Sequence, residues 1–73
     1  RTDYPGKEIA AKVQIVWQQD FNNEIEFVTG DEWKAGNLSY HLKSRPKWEG
    51  YNNEILNKSS QFICVDDVCL GRY

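Results

Sequence analysis

The stretch Ile9-Ala10-Ala11-Lys12-Val13-Gln14-Ile15-Val16-Trp17 admits two readings, and the choice between them sets the fold class. As a helix it gathers Ile9, Val13, Val16 and Trp17 on one face. As a strand it alternates Val13, Ile15 and Trp17 with Lys12, Gln14 and Gln18. The β-branched residues favour a strand from about Val13 onward, whereas Glu8-Ile9-Ala10-Ala11-Lys12 suits a short helical turn. The reading carried forward is a strand from Val13, preceded by that turn. Upstream, Pro5-Gly6 marks an extended lead-in or the cap of the first turn.

Downstream the punctuation is that of short strands. Asn22-Asn23 is a turn signal, because Asn tolerates the positive φ of tight turns. Glu24 to Val28 then sets Ile25 and Phe27 against Glu24 and Glu26, and Gly30-Asp31 closes the run. After a second turn signal at Ala35-Gly36-Asn37, residues 38 to 45 alternate most cleanly of all. Leu38, Tyr40 and Leu42 point one way, and Ser39, His41, Lys43 and Arg45 the other. Pro46 ends that strand or confines its last residue to a sheet edge. A polar stretch around Trp48, Gly50 and Tyr51 leads to a short strand at Glu54-Ile55-Leu56 and a turn at Lys58-Ser59-Ser60. The expected fold is mainly β, or α+β with one short N-terminal helical turn. It is a small antiparallel meander of roughly five or six short strands forming a small barrel or sandwich, in a single small β-rich domain over residues 1–73.

The last run, Phe62-Ile63-Cys64-Val65-Asp66-Asp67-Val68-Cys69-Leu70, predicts a hairpin. With Asp66-Asp67 as a two-residue loop, Val65 faces Val68 as the hydrogen-bonded pair, and Cys64 faces Cys69 at the next, non-hydrogen-bonded position. Opposite Cα atoms there lie about 4.5 Å apart, within reach of a disulfide. Such a bond implies an oxidising, extracytoplasmic compartment, secreted or periplasmic. No metal site is expected, because a tetrahedral centre would need carboxylates beyond the two thiols and His41. The sequons Asn37-Leu38-Ser39 and Asn57-Lys58-Ser59 decide nothing in so Asn-rich a chain.

Composition narrows the function classes. The 73-residue chain carries a net charge of −2, from 9 basic and 11 acidic side chains, which gives no pull towards nucleic acid or an anionic membrane. No apolar run approaches the roughly 20 residues that span a bilayer. Beginning at Arg1 and lacking methionine, the chain reads as a processed or excised piece. Three Trp, four Tyr and three Phe stand out against a mean hydropathy of −0.74, and large aromatics give the most burial per residue in a small core.

The candidate binding residues are Trp33, Tyr40, His41, Lys43, Arg45, Trp48 and Tyr51. Exposed aromatic planes suit a sugar ring or a partner's apolar side chain, and the alternating bases suit an acidic strand. The same bases beside Trp48 could track a phosphate backbone, but Glu24 and Glu26 on a neighbouring strand would neutralise them. His41 and Arg45 with a glutamate are the residue types of a small ribonuclease, yet no spacing supports catalysis. No cofactor is implied.

Two local resemblances bear on these readings. Val28-Thr29-Gly30-Asp31-Glu32-Trp33 with Gly36-Asn37-Leu38-Ser39-Tyr40 is similar to the short hairpin of small chitin-binding modules, without the paired tryptophans that follow it there. This resemblance implies a carbohydrate ligand. Val13 to Asp31, ending in Glu-Ile-Glu-Phe-Val-Thr-Gly-Asp, is similar to the start of an SH3 domain, without the tryptophan pair and proline of that family's groove. The expected function is a non-enzymatic binding domain, an effector, sensor or assembly module. It recognises a protein partner through exposed aromatics and an open strand edge at the strand ending at Pro46. A carbohydrate-binding module ranks second, and a ribonuclease-like enzyme or nucleic-acid-binding domain last.

Overall fold

In the computed structural model, which describes residues 4–73, the ambiguous N-terminal stretch is a helix, α1 (Gly6–Asp20). Val13 and Trp17 are four residues apart, a spacing that a strand face and a helix face share. Ala10 breaks the tie: it is buried with Val13 and Trp17, while Ile15 stays exposed. Burying one Ala-Val-Trp stripe outweighs the β preference of Ile15 and Val16, a weak term that packing overrides. The helix stops where Phe21 turns extended while its N–H still donates to the Trp17 carbonyl at 2.8 Å. Trp17 is fully buried, and its indole N–H donates to the Asn23 carbonyl at 2.6 Å, so the buried polar tip is satisfied.

The cleanest alternation is also helical, which corrects the expected strand over 38–45. After β1 (Phe27–Thr29), Asp31 caps α2 (Glu32–His41), its carboxylate accepting from the Lys34 N–H at 2.7 Å. Leu38 and Leu42 again sit at the shared spacing of four, and Ala35 completes a buried helical stripe with them. Tyr40 falls on the opposite side and is exposed. The chitin-module likeness fails here, because its returning strand is helix. The SH3 likeness fails as well, because its first strand lies in α1.

A two-residue strand β2 (Lys47–Trp48) follows, then α3 (Glu54–Lys58) in place of the expected strand at 54–56, then β3 (Gln61–Val65) and β4 (Val68–Arg72). One four-stranded mixed sheet has the order β2-β1-β4-β3, with β1 and β2 parallel and the other pairs antiparallel. The fold is therefore α+β around an open sheet, and the expected mainly-β meander closing as a barrel or sandwich is overturned. Both parallel crossovers, β1-α2-β2 and β2-α3-β3, share a hand only if they cover opposite faces, because they run in opposite directions along the sheet.

Both faces of β1 are buried. On the α1/α2 face, Val28 and Leu70 pack with Ala10, Val13, Trp17, Ala35, Leu38 and Leu42. Phe27 and Thr29 point the other way and are buried too. On that second face the Phe27 ring meets Tyr73 at 5.3 Å and lies over Gly71, where an added Cβ would come 2.8 Å from it. The hairpin closes as expected, with Asp66 supplying the positive φ of 55°. Phe62, on the outermost strand, is 43% exposed.

Candidate functional site: a free strand edge beside an apolar groove

The sheet ends in two edges of different character. β2 is two residues long, follows Pro46 and carries Lys47, all devices that discourage a further strand. β3 is five residues long, Gln61-Phe62-Ile63-Cys64-Val65, with no charge, no proline and no glycine. Among the described residues it pairs with β4 and with no other strand. Its register sets which groups are free. Cys64 and Cys69 form a disulfide across the hairpin with Cα atoms 4.0 Å apart, as befits a non-hydrogen-bonded pair. Phe62, two residues earlier, therefore shares its phase, and the N–H and C=O groups of Phe62 and Cys64 point away from β4. The turn is anchored by an ion pair between Lys34 and Asp67 at 2.9 Å, and the hydrogen bond that the ammonium donates to the Asp67 carboxylate holds the lysine above its ordinary pKa.

Beside this edge runs an apolar groove of about 180 Å³, between α1 and the end of β3, lined by Ile9, Val13, Val16 and Val65 with Lys12 and Asp66 at its rim. Val16, buried on neither the core stripe nor a partner, is 42% exposed. A strand added to β3 would lay alternate side chains towards this groove. None of these residues is among the candidate binding residues read from the sequence. The signal for them was the contrast between an uncharged β3 and the charged segments elsewhere.

The residues that were singled out spread over other surfaces. Trp33 and Tyr40, seven apart, share the outward face of α2 and are exposed. Arg45, at a positive φ of 50° after the helix, places its guanidinium over the Tyr40 ring at 4.9 Å, and His41 meets the same ring edge-on at 4.9 Å. Lys43 is exposed in that turn. Trp48 in β2 is part-exposed, its indole donating to the Gly30 carbonyl at 2.9 Å, and Tyr51 lies exposed beyond it. The structure thus gathers Tyr40, His41 and Arg45, with Lys43 lining a pocket beside His41, and gives Trp48 and Tyr51 no contact with them. Glu26 does not neutralise the bases; it pairs with Arg72 at 3.3 Å and accepts from the Tyr73 N–H. Residues 39 to 45, expected as the open edge, belong to α2 and its following turn, so the edge moves to β3.

Near the opposite edge, burial and a hydrogen bond to Glu49 push the Tyr73 hydroxyl up to about 12. Among the described residues no cluster of three metal-ligating side chains exists, and no helix is long and apolar enough to cross a membrane. No protein-family model matches the chain, and no curated protein or solved structure matches it either.

Proposed function

We propose that this chain is a non-enzymatic binding domain, secreted or periplasmic, that captures an extended segment of a protein partner as a fifth strand on the free edge of β3. The observation that carries the reading is the unguarded edge itself: five uncharged residues, of which Phe62 and Cys64 turn their amides outward, held by a disulfide and flanked by an apolar groove. Main-chain hydrogen bonds supply affinity in this mode, and pockets for alternate side chains supply specificity. The Cys64–Cys69 bond fixes the hairpin before binding, which lowers the ordering cost of association. It also favours an oxidising compartment.

Charge defines the partner further. An antiparallel segment runs with its N-terminal end beside Asp66 and its C-terminal end beside Lys58, three residues before β3. The fitting ligand carries a basic residue before its strand and an acidic one after it, with β-branched or aromatic residues at alternate positions between.

Selection of displayed random peptides on the oxidised domain tests this. Enriched sequences should show that alternation and that polarity of charge. They should also slow exchange of the Phe62 and Cys64 amides, which exchange quickly in the free domain. Phe62→Pro should abolish binding while preserving the hairpin, because its N–H is not used in the ladder. Retained binding in that variant, or protection of both amides in the free monomer, would refute the reading. A concentration-dependent dimer through β3 would assign the edge to self-association and refute it equally.

A further inference from the structure

We infer that a second site, sharing no residue with the β3 edge, binds a neutral polyhydroxylated ligand, a sugar, in the cleft where the end of α1 meets the turn after α2. The cleft has a volume of about 340 Å³, within the range of small-molecule pockets. Four primary carboxamides line it: Gln14 and Gln18 from α1, and Asn22 and Asn23 from the following turn. Phe21 contributes an aromatic wall, and Ser44 a short polar one.

Each part of that lining favours hydroxyl groups. A carboxamide presents a donor and an acceptor from one planar group, and a hydroxyl is both donor and acceptor, so neighbouring hydroxyls of a ring can be bonded in pairs. Glu24 and Lys43 face the cleft with opposite charges, which leaves no net field to select an ion. The Asn23 side-chain oxygen is buried without a hydrogen-bond partner among the described residues, and its carboxamide nitrogen is left as the group that can turn to the cleft. An aromatic wall beside polar groups suits the mixed faces of a pyranose.

The cleft is also built to hold its shape. The Asn23 carbonyl accepts from the Trp17 indole at 2.6 Å, and the Glu24 carbonyl from the Arg72 guanidinium at 2.6 Å. Phe21 packs against Trp17 with ring centroids 4.5 Å apart. The Ser44 hydroxyl donates to the Ile25 carbonyl at 2.5 Å, tying the far wall to the chain entering β1. Binding would therefore require little reordering of the backbone.

Titration followed by the side-chain amide signals in ¹⁵N NMR tests the inference, using glucose, N-acetylglucosamine, glucose 6-phosphate and glycine as probes. At least one neutral sugar should shift the amide signals of Gln14, Gln18, Asn22 and Asn23 saturably, with a dissociation constant of about a millimolar. Gln18→Ala with Asn22→Ala, both at exposed positions, should weaken it at least about tenfold without changing the thermal midpoint by more than a few degrees. No saturable shift by either neutral sugar would overturn the assignment, and so would an unchanged affinity in the double variant. Preferential binding of glycine or of the phosphorylated sugar would overturn it as well, as would shifts confined to the Trp33 and Tyr40 face.

Discussion

Two glycine-to-alanine substitutions should move stability in opposite directions, and the reason lies in what each new methyl group meets. At Gly71, in β4, an added Cβ would lie 2.5 Å from the Gln61 carbonyl oxygen, 2.8 Å from the Phe27 ring and 2.8 Å from the Phe62 Cβ. The first neighbour is backbone of the adjacent strand and cannot rotate away. Relief requires separating β3 from β4 or displacing Phe27 from the face it covers. Overpacking of this kind costs about 1–3 kcal/mol, and a backbone clash puts it at the upper end. At about 4–8 °C per kcal/mol for a domain this size, Gly71→Ala should lower the thermal midpoint by roughly 12–24 °C. At Gly36, inside α2, nothing lies within 4 Å of the added atom. Alanine there gains about 0.5–1 kcal/mol from helix propensity and reduced freedom of the unfolded chain, so the midpoint should rise by roughly 2–8 °C. Thermal and urea denaturation followed by circular dichroism measure both. A Gly71→Ala midpoint within a few degrees of the parent would refute the close β3–β4 approach over Phe27. A clear loss at Gly36 would refute helix α2.

Three further outcomes follow from the same contacts. Replacing Cys64 and Cys69 together by serine should cost about 2 kcal/mol by loop-closure entropy for so short a loop, read as a lower urea midpoint, and should weaken capture of a strand at β3; unchanged stability would mean the bond constrains nothing. Trp17→Phe keeps most of the buried ring but leaves the Asn23 carbonyl without its donor, and should cost about 1–3 kcal/mol in the same assay; a neutral result would remove the anchor of the carboxamide cleft. Tyr73 should titrate late by ultraviolet absorbance, near pH 12, and Tyr73→Phe should remove that late phase. Because its folded pKa is raised, the contribution of Tyr73 to stability is complete below about pH 10 and is lost as pH climbs towards 12; a tyrosine titration with no late phase would show that the bond to Glu49 is not made.

What was legible in the sequence was set by which residues carry unambiguous local signals. The hairpin from Phe62 to Leu70 was readable because a two-residue loop, flanking valines and paired cysteines all demand the same register. β1 was readable because Phe27 and Val28 are bounded by Gly30. The helices were misread because their buried residues repeat at a spacing of four, Val13 with Trp17 and Leu38 with Leu42, where periods of 2 and 3.6 coincide. The deciding residues were small. Ala10 and Ala35 carry little hydrophobic weight in a pattern, yet both are buried in the core with Val28 and Leu70. Asp31 was also informative in hindsight, since an Asp followed three residues later by a free backbone N–H is a helix start as readily as a turn.

The site was less legible than the fold, because an edge is a property of strand order and not of a strand. Pro46 and the alternating bases looked like the guards of an open edge, and Pro46 with Lys47 does guard one. It is the short β2 edge, which needs little protection. The five residues of β3 become the outer strand only because β4 returns between β3 and β1, a consequence of the order β2-β1-β4-β3 that no local pattern encodes. The hairpin that was easiest to read therefore carries the surface that was hardest to find. Its disulfide links the two: the same cross-strand bond that fixes the register of Cys64 turns the Phe62 and Cys64 amides outward, so stabilising the hairpin and presenting its edge are one geometric act.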